Sequence, residues 1–209
     1  MSDSPISDAS KQTLRKQALA LRATLPMASL SALICQKIAT HPAIIKASRV
    51  LFYYPLRTEP DLRALANQFP DKNWFLPVMK SGQGMRFYPY QPQKPLRPGK
   101  HGILEPEASE EAAAIGPEHL QADDVMILPG LLFDQSGYRL GYGQGNFDRF
   151  LGQAHEQGQT CVTIGAVPSD LLWENLPVEG WDLPVDWLIT EHHIWSAHAE
   201  REGSSNFDG

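Results

Sequence analysis

Cysteine is nearly absent from this chain. Cys35 and Cys161 are the two among 209 residues, far apart and each inside an apolar run. That spacing excludes a disulfide framework or a cysteine-rich metal site, and both read as small buried hydrophobes. Runs of basic residues are missing too, and the net charge is −6. The electrostatic footprint of a nucleic-acid or membrane-surface partner is therefore lacking. No apolar span reaches the ~18 residues that a membrane helix needs. The polar start MSDSPISDASKQTLRKQ has no apolar signal-peptide core. The expectation is a cytoplasmic monomer with no nucleic-acid or membrane partner. Small anionic ligands stay open, because one pocket can be basic in an acidic protein.

What is present is globular: 42% hydrophobic and 20% charged residues. One domain over residues 1–209 is expected, with residues 1–7 and 201–209 as free ends. The runs RVLFYYP, VMILPG, CVTIGAV and DWLIT are apolar without alternation, as in strands buried on both faces. NWFLPV and MRFYPY read as two further strands, with Gly82 and Gly84 turning between them. The expected fold is therefore α/β, a three-layer arrangement with a mostly parallel sheet and helices on both faces.

A helix is predicted over residues 10–25, with Ser10 as N-cap and Leu14, Ala18, Leu21 and Leu25 on its inner face. Lys11, Arg15 and Arg22 fall within about 40° of one another on a neighbouring stripe, ordinarily a solvated face. A second helix spans residues 30–39, with Leu33, Ile34 and Ile38 inward. A third is expected to start at Thr58, with Pro60 in its first turn and Asp61 completing a capping box. The proline-rich QPQKPLRPGKHGILEPEASE reads as irregular. His101, His192 and His193 lack the further ligands a metal site needs.

The stretch LPGLLFDQSGYRLGYGQGNFDRFL holds the densest chemistry. Residues 128–145 form a long loop without periodicity, and such loops in compact domains are usually functional. The loop feeds a helix with Phe147, Phe150, Leu151 and Ala154 on one face and Asn146 as its cap. Glycine amides at a helix N-terminus form an anion site, Arg139 adds a cation, and Asp148 is a candidate Mg²⁺ ligand. Gly141-Tyr142-Gly143-Gln144-Gly145 nonetheless fits neither GxGxxG nor a P-loop. On spacing alone, a phosphate cradle and a structural turn both remain open.

This stretch resembles the signature of the 5-formyltetrahydrofolate cyclo-ligase (methenyltetrahydrofolate synthetase) family, roughly PGLaFDxxGxRLGxGxGYYDRfL. KQTLRKQALALR resembles that family's K-x-x-x-R start, FYYPLRTEPD its strand and glutamate loop, and LPVMKSGQGMRFYPY its central hairpin. HGILEP and DLPVDWLITE resemble its later segments. The resemblance implies a fold related to the sugar-phosphate isomerase and CoA-transferase architecture. It implies an ATP- and Mg²⁺-dependent conversion of 5-formyltetrahydrofolate to 5,10-methenyltetrahydrofolate, ADP and phosphate. By position, it implies ATP binding by Lys11, Arg15, Arg139, Leu140, Gly141, Tyr142, Gly143, Gln144, Gly145, Asn146 and Phe147. Folate would meet Tyr54, Glu59, Tyr142 and Asn146, and Mg²⁺ would meet Asp148 and Asp186. The chain departs from the family at Gln144, usually glycine or lysine, and at Asn146, usually tyrosine. A catalytically weakened folate- or nucleotide-binding paralogue is one alternative, and an isomerase-like enzyme without ATP dependence another.

Overall fold

The structure is a computed structural model and describes residues 6–56, 58–82, 84–99, 103–107 and 114–197. Three N-terminal helices come first: α1 (Ile6–Arg22), α2 (Met27–Ala39) and α3 (Pro42–Lys46). Strand β1 (Arg49–Leu51) and the short helix α4 (Ala64–Gln68) lead to a hairpin, β2 (Asn73–Lys80) and β3 (Gly84–Tyr90). A two-stranded ribbon follows, β4 (Arg97–Pro98) with β5 (Leu104–Glu105), and then β6 (Val125–Leu128), β7 (Leu132–Asp134) and β8 (Arg139–Leu140). Helix α5 (Asn146–Glu156) precedes β9 (Val162–Ala166), β10 (Leu172–Trp173), β11 (Trp187–Ile189) and β12 (Ile194–Ser196).

The main sheet runs β12-β11-β9-β6-β1-β2-β3. Its interior pairs are parallel, and the hairpin strand β3 and the last strand β12 close the edges antiparallel. Successive strand residues feed opposite cores. Val50, Trp74, Val125 and Ile127 face the α2–α4 side, while Leu51, Phe75, Met126 and Leu128 face Ala18 of α1 and Phe150, Leu151 and Ala154 of α5. A strand covered on both sides must be apolar at every position. That is why these runs do not alternate, and the expected α/β class holds.

Several local expectations are corrected. Helix α1 begins at Ile6, so Ser10 lies inside it. Residues 201–209 lie outside the described residues. The inner stripe of α1 is Lys11, Arg15, Ala18 and Arg22, with Leu14 and Leu25 packed beside it, whereas Leu21 is exposed. Leu33 of α2 is exposed as well. Thr58 caps no helix, since α4 starts at Ala64. The Asp61 carboxylate instead accepts from the backbone N–H and guanidinium of Arg63, the side-chain-to-backbone competition that keeps aspartate turns non-helical. The Asn146 cap is also displaced. The N-cap position belongs to Gly145 at φ +57°, and the Asn146 amide oxygen accepts from Arg149.

The segment expected to be one long loop carries two short strands. β7 pairs antiparallel with β8 and parallel with β10. Gly137 turns between them at φ +88°, and a Cβ there would lie 2.7 Å from the carbonyl of Val185. The bend and the close approach both require glycine. This small sheet carries the chain from β6 to the glycine-rich segment in front of α5.

Candidate active site

The strands β1 and β6 end at Phe52-Tyr53-Tyr54 and Pro129-Gly130, and there a cavity of about 1140 Å³ opens. A site for one small ligand is usually ~300–1,000 Å³, so this one lies at the upper end of that scale. Open α/β sheets bind their ligands beyond the carboxyl ends of the strands, where chain direction leaves the backbone free to splay.

One end of the cavity gathers bases from α1 and the glycine-rich segment together with acids. Lys11 is buried, with Nζ 2.9 Å from both Glu179 and Asp182. Burial pulls its pKa down, but hydrogen bonds and charge from the two carboxylates outweigh this and hold the ammonium above its ordinary value. One helical turn on, Arg15 Nε donates to the carbonyl of Gly141 at 3.0 Å. Its guanidinium packs against Gly143, which sits at φ +94°, and a Cβ there would lie 3.4 Å from Arg15 Cζ. Tyr142, Gly143 and Gln144 are exposed at the tip of this loop. No side chain caps the N-terminus of α5 behind it, so the first amides of that helix are open to an anion.

Arg139 lies deeper. Its Nη2 donates to Asp148 at 2.7 Å and its Nη1 to the carbonyl of Leu183 at 2.9 Å. Burial depresses the guanidinium pKa, opposed by Asp148 and Asp182. The Asp148 carboxylate also accepts from the Leu183 N–H at 3.3 Å. Phe147 anchors the helix start, its ring 6.3 Å from that of Phe87.

The other end has apolar walls and a buried acid. Met79, Met85, Pro77 and Leu56 form its walls. Glu59 is 5% exposed, and its carboxylate accepts from the Leu56 N–H at 2.8 Å. Burial drives its pKa up, the Leu56 hydrogen bond and the charge of Arg22 oppose this, and the outcome is about 7. Tyr54 stands beside it, its hydroxyl 3.2 Å from Arg63 Nη1 and its ring under the Arg63 guanidinium at 4.9 Å.

The cavity thus gathers Lys11, Arg15, Tyr54, Glu59, Arg139, Leu140, the 141–147 segment and Asp148. Asp186 is the exception and a correction. It precedes β11, at the edge where the parallel strands begin, and its carboxylate accepts from the backbone N–H and hydroxyl of Thr163, both at 2.8 Å. Asp186 does not line the cavity that Asp148 borders. Sequence reasoning missed Glu179, Trp181 and Asp182, which also line the cavity. Their segment, NLPVEGWDLP, shows only scattered acids and prolines, with no local sign of the lysine it meets.

The model of the 5-formyltetrahydrofolate cyclo-ligase family matches residues 7–191. The chain belongs to that family. The Escherichia coli K12 5-formyltetrahydrofolate cyclo-ligase is 31% identical over 163 residues, covering 76% of this chain and 86% of the relative. A solved structure of Aquifex aeolicus 5,10-methenyltetrahydrofolate synthetase superposes with a TM-score of 0.75 at 31% identity, over 90% of this chain and 92% of the other. The Mycoplasma pneumoniae 5,10-methenyltetrahydrofolate synthetase, at 23% identity and a TM-score of 0.63, shares the fold. The family match includes the α1 start, the hairpin and the glycine-rich segment, all of which border the cavity. No single helix among the described residues is long and apolar enough to cross a membrane.

Proposed function

We propose that this cyclo-ligase family member converts 5-formyltetrahydrofolate and ATP to 5,10-methenyltetrahydrofolate, ADP and phosphate, as a cytoplasmic monomer. The observation that carries the reading is one cavity where Lys11 and Arg15 of α1 meet a glycine-rich loop at one end and the buried acid Glu59 stands among apolar walls at the other. The first suits a nucleotide triphosphate, and the second suits a flat, partly polar heterocycle.

A formamide oxygen is a poor leaving group, so ring closure needs it activated. The formyl oxygen attacks the γ-phosphorus, and the bond from that phosphorus to ADP breaks. N10 then adds to the formyl carbon, its proton passes to phosphate or water, and the C–O bond breaks with release of phosphate. Phosphoryl transfer of this kind depends on alignment and charge neutralisation. Lys11, Arg15 and the amides of Gly141 to Phe147 hold the phosphates from two sides. Arg139 fixes Asp148 and the base of the loop. Tyr54 and Glu59 orient the folate, with the carboxylate accepting N–H bonds from the pterin, and Tyr142 and Asn146 stand where the two ligands meet.

The donor set fits a Mg²⁺ that arrives with the nucleotide. No group of three His, Cys, Asp or Glu forms a cage among the described residues, and Mg²⁺ usually takes one or two carboxylates with phosphate oxygens and water. Asp148 would hold it. Bound there, the ion would draw charge from the phosphate oxygens. Asp186 belongs instead to the β9–β11 joint.

The test is turnover of 5-formyltetrahydrofolate by the purified protein, read as methenyl-product absorbance with and without Mg-ATP. Product that requires ATP is the expected result. Binding of both ligands without product would replace this reading with the weakened paralogue that Gln144 and Asn146 allow. Product without ATP would sink the phosphoryl-transfer scheme.

A further inference from the structure

Helix α1 turns a third base inward, one that touches neither ligand in the scheme above. Arg22 is 0% exposed. Its Nη2 donates to the carbonyl of Gly130 at 2.5 Å, while Nε and Nη1 meet no acceptor among the described residues. Arginine keeps its proton in proteins. A buried guanidinium with two idle donors is therefore costly unless an opposite charge stands near. No described carboxylate lies within ion-pair distance of Arg22. The carboxylate its charge acts on is Glu59, and both Glu59 and Gly130 line the cavity.

The surrounding groups do not compete for that role. Tyr53, from the end of β1, is fully buried and donates to the Pro60 carbonyl at 2.9 Å. Burial, then the Glu59 charge, push its pKa well above the ordinary range, against Arg22. Burial likewise pushes the Cys35 thiol of α2 up to about 12. Asp61, on the same turn as Glu59, is raised by burial but held low by its Arg63 bonds. Glu59 is thus the group here that changes charge near neutrality.

We propose that Arg22 is a positioning residue for the folate end of the cavity. Its guanidinium pins the Gly130 carbonyl in the cavity wall, and its charge favours the ionised Glu59 carboxylate. The inference rests on the folate role given to Glu59 above. It adds a residue that acts through the protein rather than on the substrate, and it explains why α1 buries a base beyond the two at the phosphate end.

The test is a side-chain carboxyl NMR titration of Glu59 in ligand-free protein, comparing wild type, Arg22→Gln and Arg22→Lys. Glutamine keeps a donor for the Gly130 carbonyl and drops the charge, while lysine keeps the charge. In Arg22→Gln the midpoint should rise from about 7 by about one pH unit or more, and in Arg22→Lys it should move by less than about half a unit. An unmoved midpoint in Arg22→Gln overturns the proposal. If that variant does not fold, the wild type carries the test. The Arg22 Nε–H resonance should follow the Glu59 midpoint and lie flat in Glu59→Gln; a resonance indifferent to Glu59 overturns the coupling. In turnover, Arg22→Gln should raise the folate KM by about tenfold and leave the ATP KM within about twofold. A midpoint that moves while both KM values hold would remove the folate role of Glu59, and the positioning role with it.

Discussion

At the scale of single residues, Glu59 adds a pH dependence of its own. Its folded pKa of about 7 stands above the ordinary 4.5 because burial disfavours the charge. Between those values the folded state binds more protons than the unfolded one, so its contribution is full below pH 4.5 and is lost as pH rises through 7. Glu59→Gln should flatten that slope and leave the protein at least as stable as wild type at pH 8, as read by denaturant unfolding. The same variant should weaken folate binding by roughly 10–100-fold, the worth of a charge-assisted hydrogen bond. A slope between pH 4.5 and 7 unchanged from wild type would reassign the titration to another group. Asp148 and Asp186 separate just as clearly. Asp148→Asn should raise the Mg²⁺ concentration needed for half-maximal turnover, whereas Asp186→Asn should lower the melting temperature and leave that requirement alone. If Asp186→Asn raised the requirement, Asp186 would return to the metal site.

At the scale of elements, α1 and the glycine-rich segment act as one clamp. Lys11 joins α1 to the Glu179–Asp182 segment, and Arg15 joins it to Gly141. Lys11→Met leaves two acids facing each other without their cation, so it should lower both stability and ATP affinity. Arg15→Ala should act mainly on the ATP KM, because it frees a carbonyl at the surface of a loop. Gly143→Ala places a side chain at φ +94° against the Arg15 guanidinium, with a local strain of ~1–3 kcal/mol. Its melting temperature should fall by roughly 2–10 °C while its ATP KM rises. Calorimetry beside steady-state kinetics separates the three variants.

Much of this clamp was legible in the chain. The strand–loop–helix order around residues 125–156, the candidate phosphate residues and the basic stripe of α1 all follow from local pattern or from the family signature. The inward turn of that stripe was not legible. Charge by itself predicts a solvated face, and only the partners, Glu179, Asp182 and the carbonyls of Gly141 and Gly130, make the inside tolerable. The same holds for the helix starts near Thr58 and Asn146, where side chains found competing acceptors and donors.

At the scale of the whole molecule, the sheet brings segments from both halves of the chain around one cavity. A ligand that bridges them should stabilise the fold as a unit. Mg-ATP at about 100 times its Kd adds about 2.7 kcal/mol, which for a chain of this size is a rise of roughly 5–10 °C in melting temperature. Differential scanning fluorimetry against nucleotide concentration would show it, and no shift at saturating Mg-ATP would argue against a nucleotide in the cavity. The unbroken apolar runs were enough to specify a sheet covered on both faces, because burial on two sides leaves a strand no polar position. The glycine spacing likewise announced a special loop, since positive φ leaves few residues to choose from. Which charges meet is a different kind of information. Lys11 with Asp182, Arg22 with the Gly130 carbonyl and Asp186 with Thr163 depend on residues distant in the chain, and no local period encodes a partner that only folding brings near.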